Sequence, residues 1–403
     1  MRSEQHDTAP ASRVEATLGL IPAPDLPEAA VGRIVANLPE LLRQCIDDRL
    51  VWHVETMTDP LIGAEDDTEQ IIAKARQVMQ SQGWQYVVCV TDLPIVRHGR
   101  LTIAEADGRH GASVLSQPAL GFVQPTRRLR DAILQLVNEM HHGSSDAARD
   151  RQQAHMARRS GRYGQRGDIS VNARELVSSR YFGPFVSLQR LTPNESAIDV
   201  RFVTTSRWRG YIQLLAGMVH ANRPWTILPS FKRVVAIAFA TGTYGLVFPT
   251  LWHLSDAYGA TRLIALMGTS FTAMIAWLTI AHGLWEPRSA NTRFALVWLY
   301  NATTLTTLFI GVVCYYLGLF ALFFTTSLIF IPGHYLQQIL GHPVGLGTYL
   351  GLAWLITSVA TITGALGLSL EGDTTVRNAT YGYRQRMRHR KVTRLNKASR
   401  KDI

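Results

Sequence analysis

The chain changes its hydropathic pattern near Phe231. Before this residue, apolar and polar positions alternate as they do in water-soluble proteins, whereas uncharged apolar runs dominate from there to Leu370. The uncharged runs cover residues 234–253, 263–285, 294–331 and 348–370. About 20 apolar helical residues are needed to cross a bilayer core. The pattern therefore predicts a soluble N-terminal part followed by an all-α transmembrane bundle over residues 231–371.

The soluble part shows the periodicities of an α/β protein. Residues 1–27 are polar and end in the proline-bearing stretch IPAPDLP, so we interpret them as a flexible lead. Between residues 28 and 143, apolar strand-like runs such as Tyr86–Val90 alternate with helical stripes such as Leu129, Ile133 and Leu136. A first helix is predicted from Glu28, with Pro39 kinking or splitting it. Residues 28–143 therefore predict a layered cytosolic α/β domain.

Four further segments follow from composition. Residues 144–180 are polar and basic, which is typical of a linker or an exposed helix. Residues 181–208 contain two strand-like runs around Pro193-Asn194 and predict a β-hairpin added to the domain. Residues 209–230 predict an interfacial helix, with a buried helix of the soluble domain as the alternative. Residues 372–403 form a basic tail with ten lysines and arginines against two acidic residues.

The number of membrane crossings depends on residues 294–331. These 38 residues carry no charge, and as a helix they would measure about 57 Å, nearly twice a hydrocarbon core. A hairpin near Tyr315–Gly318 would give five crossings and an external basic tail. One over-long or broken helix would give four crossings and a cytoplasmic tail. We favour four, because basic segments prefer the cytoplasmic side.

The charge distribution and the N-terminal sequence predict where the protein is located and what it binds. The formal net charge is +11, and the basic stretches lack an aromatic base-stacking pattern, so anionic lipid head groups are favoured over nucleic acid as partners. The N-terminus shows no apolar signal-peptide core. Three widely spaced cysteines predict no disulfide framework. We expect a multi-pass protein of the inner (plasma) membrane with both the N-terminal domain and the tail in the cytoplasm.

Polar and aromatic side chains mark the ends of the apolar runs. Such residues at a predicted span end usually anchor it at the head-group level. A polar patch of asparagine and threonine at 301–307 predicts hydrogen bonding between helices. The predicted membrane-interface residues are Trp225, Lys232, Arg233, His253, His282 and Trp285.

Two segments of the soluble part lie where ligands bind in α/β proteins. Asp92, within VTDLP at 90–94, directly follows a buried strand, and SQPALG at 116–121 follows the next apolar strand. A carboxylate just beyond a strand end is a usual place for ligand chemistry in an open α/β sheet. Asp92 is therefore a candidate site residue, with a turn cap beside Pro94 as the alternative.

The fragment NEMHH at 138–142 resembles the zinc-protease pattern H-E-x-x-H, in which two histidines bind zinc and the glutamate activates water. Glu139 and His142 fit this pattern, but Asn138 replaces the first histidine. His155 is a distant candidate ligand. The broken pattern makes these weak candidates, and we predict no metal and no cofactor, because nucleotide-binding and serine-hydrolase motifs are also absent.

Six segments carry a resemblance to a known group of proteins. They are VTDLP at 90–94, SQPALG at 116–121, GMVHANRPW at 217–225, AHGLWE at 281–286, GHPVGL at 341–346 and YGYRQR at 381–386. In these segments the chain resembles a family of bacterial, mostly actinobacterial, integral membrane proteins with a cytosolic α/β domain. Some members are labelled methylenetetrahydrofolate dehydrogenases, and this chain lacks the dinucleotide-binding glycine motif that such a label implies. The resemblance implies an architecture and no activity.

Two classes of function follow. The favoured hypothesis is a non-catalytic cytosolic domain that binds a ligand or partner and is tethered by a helical bundle. The alternative is a membrane-bound enzyme, hydrolase-like, with a degenerate zinc-protease-type site; a transporter is less favoured because few charges lie at membrane depth. A homodimer through the Gly364 and Gly367 surface is a further hypothesis.

Overall fold

The fold is described from a computed structural model. The described residues are 14–59, 62, 68–145, 147, 188–193, 198–222, 232–287 and 294–367. The chain divides into two compact units at the bond between Gly217 and Met218.

The N-terminal unit is built on a mixed sheet. Among the described residues its strands are β1 (Glu15–Pro22), β2 (Val51–Thr56), β3 (Tyr86–Thr91), β4 (Ile95–Arg97), β5 (Arg100–Asp107), β6 (Ala112–Ser116), β7 (Leu188–Leu191) and β8 (Val200–Thr204). The order is β2-β1-β3-β6-β5-β8-β7, with β4 paired to β5. The β2, β1, β3 and β6 strands run parallel, and the β6–β5, β5–β8 and β8–β7 pairs are antiparallel.

Helices cover both faces of this sheet. They are α1 (Leu26–Gly32), α2 (Leu38–Cys45), α3 (Thr68–Gln82) and α4 (Pro125–His142); α5 (Arg207–Asn222) begins in this unit. Val87 and Cys89 of β3 pack in one apolar cluster with Ile71 of α3. Tyr86, which points to the opposite face, contacts His141 of α4. The central strand is therefore buried on both faces, and the layered α/β domain predicted from the sequence is confirmed.

The first strand corrects the predicted flexible lead. Residues 15–22 form β1, which lies between β2 and β3 in the middle of the parallel region. Leu18 and Leu20 are fully buried. The apolar run is interrupted by Gly19, because the indole ring of Trp84 occupies the space that a side chain would need. Of the three prolines in this stretch, Pro22 ends β1, Pro24 lies between the strand and α1, and Pro27 is in the first turn of α1.

Gly19→Ala is expected to lower the free energy of unfolding by about 1–3 kcal/mol, since overpacking a buried sheet forces side chains or strands to shift. The added methyl group would overlap Trp84, which is also held by a 2.8 Å hydrogen bond from its indole N–H to Glu55. Urea denaturation of the purified protein measures the effect. Gly32→Ala is the matched control, because open space surrounds Gly32. Equal midpoints for the two variants would contradict the assigned packing.

The remaining segments of the N-terminal unit refine the sequence boundaries. The predicted first helix is split into α1, a 3₁₀ turn over Val35–Asn37 and α2, whose second residue is Pro39. The two strands predicted within 181–208 are present as β7 and β8, and β8 joins the main sheet through β5. Most of the basic segment 144–180 lies outside the described residues, as does the tail 372–403.

The second unit is helical. Its described helices are α6 (Lys232–Leu246), α7 (Pro249–Ala257), α8 (Ala260–Ala281), α9 (Phe294–Phe330), α10 (Gly333–Leu340) and α11 (Leu346–Gly367). Within the described residues, α8, α9 and α11 are long and apolar enough to cross a membrane. The α6 and α7 helices pass the same test only together and meet at an angle of 91°. The helical part thus has three candidate spans, or four if the bent pair is one span.

The α9 helix resolves the long uncharged run. It is continuous over 37 residues and passes through Tyr315–Gly318 without a turn, so the hairpin that five crossings would require is absent. Near its N-terminal end the polar patch contacts the end of α5. Asn222 donates a 2.9 Å hydrogen bond to Thr307, and the Thr303 hydroxyl lies 3.7 Å from the Met218 sulfur. The predicted interhelical hydrogen bonding is confirmed.

Two glycines allow close helix packing in this unit. Gly242 of α6 lies against the ring of Phe323, and Gly364 of α11 lies against the Tyr315 hydroxyl and against Val234 and Ala238 of α6. Gly364 therefore serves packing inside the unit. A homodimer stays a prediction.

Candidate functional site

The carboxyl ends of three parallel strands meet at one edge of the N-terminal sheet. The β2 strand, which is the next strand along the chain, pairs with one side of β1. The following strand, β3, pairs with the other side of β1. In open α/β sheets, the crevice at such a reversal of strand order is the usual ligand-binding position. We call the residues that follow β1, β3 and β6 at this point the carboxyl edge.

Hydrogen bonds between the strand ends make the carboxyl edge rigid. Ala23 N–H donates to the Val90 carbonyl at 2.8 Å, which ties the end of β1 to β3. Gln117 N–H donates to the Thr91 carbonyl at 2.8 Å, and the Ser116 hydroxyl donates to the Leu93 carbonyl at 2.7 Å. The segments VTDLP and SQPALG, singled out from the sequence, are thus brought together.

Two buried polar side chains lie at this edge. Asp92 is 7% exposed and Gln117 is 5% exposed. The Gln117 Oε1 atom is buried, and among the described residues it accepts no hydrogen bond. Buried acceptors are nearly always satisfied in native proteins, so this oxygen requires an explanation.

The backbone is strained where β1 passes into α1. Asp25 has φ 72° and ψ −109°, a conformation that residues with a side chain rarely adopt. Asp25 is exposed and lies three residues beyond the end of β1. Strain of this kind costs about 1–3 kcal/mol and is concentrated at binding and catalytic sites. Its position beside the carboxyl edge adds to the case for a ligand site there.

Two helices hold the loop that follows β6. The buried Arg128 of α4 donates a 2.6 Å hydrogen bond to the Leu120 carbonyl, and burial lowers the pKa of its guanidinium to about 10. Gln213 of α5 donates a 2.6 Å hydrogen bond to the Ala119 carbonyl. Gly217 lies against the Pro118 carbonyl, where a side chain would overlap the backbone. These contacts hold residues 118–120 from the side that faces away from the strands. They thereby fix the position of Gln117, which precedes this loop.

The zinc-protease-like residues occupy other positions. Glu139 is 2% exposed and forms a 3.0 Å ion pair with Arg190. His142 Nε2 lies 3.4 Å from the Ile46 carbonyl oxygen. In the described parts of the chain, no group of three histidine, cysteine, aspartate or glutamate side chains is arranged to hold a metal ion. His155 lies outside those parts, so the weak metal assignment stays a prediction.

A series of polar contacts that the sequence did not reveal lies at the opposite end of β3. The Tyr86 hydroxyl is 2.9 Å from His141 Nδ1, and His141 Nε2 is 3.5 Å from the Asp47 carboxylate. Burial, with a smaller contribution from Asp47, raises the pKa of Tyr86. The three residues come from a strand and two helix ends far apart in sequence, so no local spacing signals them.

The predicted membrane-interface residues divide by exposure. His253 and Trp285 are exposed, the latter at 57%, whereas His282 is 3% exposed inside the helical unit. Lys232 and Arg233 stand at the start of α6, and Trp225 lies outside the described residues. Their role at the head groups stays a prediction.

No family model, curated protein or solved structure matches this chain. The resemblance to actinobacterial membrane proteins therefore stays a prediction. Of the candidate residues, Asp92 lies at the carboxyl edge beside Gln117, whereas Glu139 and His142 lie in the last turn of α4.

Proposed function

We propose that this chain is a plasma-membrane protein with four crossings whose cytoplasmic α/β domain binds a small ligand at the carboxyl edge of β1, β3 and β6. The observation that carries the proposal is the buried Gln117 oxygen, which accepts no hydrogen bond among the described residues. A ligand N–H or O–H group directed at this oxygen would satisfy it.

The energetics favour a binding role for Gln117. A buried acceptor without a donor costs about 1–3 kcal/mol, whereas an apolar side chain of the same shape would avoid this cost. The backbone N–H of Gln117 donates a hydrogen bond to the Thr91 carbonyl, which fixes the position of this residue at the end of β6. The buried Asp92 carboxylate at the neighbouring strand end is a second acceptor. The ligand class is therefore a small molecule that presents hydrogen-bond donors, such as an amine, an amide or a polyol.

The membrane part of the proposal rests on the helices. Three described helices have the length and composition of spans, and the proposal takes the bent α6–α7 pair as the fourth crossing. The basic tail supports a cytoplasmic C-terminus in contact with anionic lipid head groups.

Gln117→Met is expected to remove ligand binding without weakening the fold. We expect at least one of a set of amines, amides and polyols to raise the melting temperature of the detergent-solubilised wild-type protein. The variant should lose this rise, while its ligand-free melting temperature stays equal or increases. Thermal unfolding with and without each compound measures both effects.

Gln213→Met is the matched control. Its amide makes a 2.6 Å hydrogen bond to the Ala119 carbonyl, so its loss should lower the ligand-free melting temperature. If Gln117→Met behaves in the same way, its amide has a structural role and the proposal is wrong. The proposal also fails if no compound stabilises the wild-type protein.

A further inference from the structure

The α5 helix is buried on one face and exposed on the other. On the buried face, a side chain at Gly210 would overlap Thr204 of β8, and Leu214, one turn further on, is fully buried. The opposite face carries Trp208 and Ile212, which are 72% and 61% exposed. Residues four positions apart are neighbours on the surface of a helix. The two large apolar side chains therefore form one exposed strip along α5.

A second pair of exposed apolar side chains belongs to the loop that α5 holds. Gln213 of α5 donates to the Ala119 carbonyl, and a Cβ atom at Gly121 would lie 3.2 Å from Gln213 Cγ. Phe122 and Val123, which follow directly in the chain, are also exposed. Single exposed apolar side chains are ordinary on a soluble domain, whereas several in neighbouring segments mark an interaction surface.

The charge beside these apolar side chains is positive. Arg207 and Arg209 flank Trp208 in the sequence, and both arginines are exposed. From residue 200 to residue 255 the chain contains six lysines and arginines and no acidic residue. Tryptophan and aliphatic side chains next to arginine are typical of helices that lie on an anionic membrane surface. We call Trp208, Arg209 and Ile212 the outer face of α5.

The same helix leads into the part of the chain that has the candidate spans. The α5 helix ends at Asn222, whose amide donates to Thr307 of α9, and α9 is long and apolar enough to cross a membrane. Nine residues separate the end of α5 from the start of α6 at Lys232. Ile212 precedes Asn222 by ten residues, which is about 15 Å along a helix. A lipid surface is therefore within reach of the outer face.

The two apolar side chains and the arginine suit different layers of a lipid surface. Tryptophan is enriched at the head-group level, because its ring is apolar and its indole N–H is polar. An aliphatic side chain such as that of Ile212 gains from leaving water for the acyl boundary just below. The guanidinium of Arg209 matches the phosphate groups of anionic lipids, to which arginine can donate two parallel hydrogen bonds. The outer face therefore fits lipid better than an acidic protein partner, which would leave the apolar side chains exposed.

We propose that the outer face of α5, together with Phe122 and Val123, docks on the anionic lipid surface of the membrane that holds the helical unit. The docked N-terminal unit lies against the bilayer instead of moving freely on its tether. This inference rests on the membrane location proposed above. It does not depend on a ligand at Gln117, so the ligand proposal and the docking proposal are tested separately.

The test measures what surrounds the outer face in the full-length protein. A nitroxide label is attached to Ile212→Cys in a chain that also carries Cys45→Ser and Cys314→Ser, while the fully buried Cys89 is left in place. The protein is reconstituted as single copies into phosphatidylcholine nanodiscs with or without phosphatidylglycerol. Electron paramagnetic resonance then compares collisions of the label with oxygen, which is concentrated in lipid, and with a nickel chelate, which stays in water.

The label at residue 212 is expected to collide more with oxygen than with the nickel chelate when phosphatidylglycerol is present. A label at Arg43→Cys is the control. Arg43 is exposed on α2, and α2 packs against β2, which is the edge strand farthest from β7 and β8. The control label should collide more with the nickel chelate in both kinds of nanodisc.

Arg209→Glu, introduced into the chain labelled at residue 212, tests the role of charge. A basic side chain near an anionic membrane surface favours the bound state by about fivefold, so charge reversal should lower the ratio of docked to undocked protein by about fivefold or more. Arg43→Glu is the matched control, because it reverses the charge of an exposed arginine outside the proposed surface. It should leave the collisions of the label at residue 212 unchanged.

An oxygen preference at residue 212 that weakens in Arg209→Glu and not in Arg43→Glu supports the proposal. A label at residue 212 as open to the nickel chelate as the label at residue 43 overturns it. Few collisions with either agent would mean that protein covers the outer face, which also overturns it. An oxygen preference that neither phosphatidylglycerol nor Arg209→Glu affects contradicts docking on anionic lipid.

Two further checks keep these outcomes separate. If the labelled Ile212→Cys protein does not fold, Trp208→Cys, one turn earlier on the same face, carries the label with the same expectation. Recovery of the protein with the nanodiscs in size-exclusion chromatography tests the membrane location itself. Failure of every variant to associate with nanodiscs would refute that location, and the docking with it, whereas a water-exposed label on an inserted protein refutes the docking alone.

Discussion

Glu105→Ala is expected to lower the free energy of unfolding of the N-terminal unit by about 3–5 kcal/mol, because removing one partner of a buried ion pair leaves the other charge uncompensated. Glu105 is fully buried between β5 and β8. One carboxylate oxygen accepts a hydrogen bond from Arg201 and the other from the Thr68 hydroxyl, each at 2.5 Å. Arg97 in turn donates to Thr68 at 2.7 Å. A single side chain thus joins α3, β4, β5 and β8.

Urea denaturation followed by brief proteolysis of the full-length protein measures this loss. With a urea slope of about 1–3 kcal/mol per molar, the midpoint should fall by about 1 M or more. Glu40→Ala is the control, since Glu40 forms an exposed ion pair with Arg43 on α2 and its loss should hardly change the midpoint. A midpoint for Glu105→Ala close to that of the control would show that the buried network does not hold the sheet together.

The elements that were predicted correctly from the sequence are those that depend on a few neighbouring residues. The continuous apolar run at Tyr86–Val90 indicated a strand buried on both faces, and β3 is such a strand. Pro39 predicted a break in the first helix, because proline lacks the amide hydrogen that a helix interior needs. The β1 strand was not predicted, because glycine and proline are typical of loops and both residue types occur in this stretch. Here the glycine serves the packing of Trp84, which comes from 65 residues later.

The residues of the candidate sites could likewise be predicted only where the signal lies in neighbouring positions of the sequence. Asp92 was predicted because a carboxylate after a buried strand has a local signature, and it lies at the carboxyl edge. The importance of Gln117 depends on which strands are neighbours, and that order is invisible in one sequence. The register of β5 against β8 depends on a bulge and on pairing between residues about 100 positions apart.

The geometry of the helical unit predicts an even number of crossings. Gly364, near the end of α11, packs against Val234 at the start of α6, where a methyl group on Gly364 would lie 3.4 Å from Val234 Cγ1. The start of α6 and the end of α11 therefore lie at the same end of this unit. At the other end, His342 forms a 2.9 Å ion pair with Asp256, which brings the loop after α10 to the end of α7. If this unit lies in a membrane, three crossings would separate the start of α6 from the end of α11, so we predict that the bent α6–α7 pair completes a fourth.

Reporter fusions to the full chain measure this topology. A fluorescent protein fused after Ile403 should fluoresce, and alkaline phosphatase fused at the same point should be inactive, because we predict that the basic tail lies in the cytoplasm. Phosphatase inserted at Gly259, between α7 and α8, is the control and should be active, since that loop lies at the end opposite to Val234 and Gly364. An active phosphatase after Ile403 would mean that the α6–α7 pair re-emerges on the side where it began. In that case the packing of Val234 on Gly364 could not be the arrangement in the membrane, because those residues would lie on opposite faces of the bilayer.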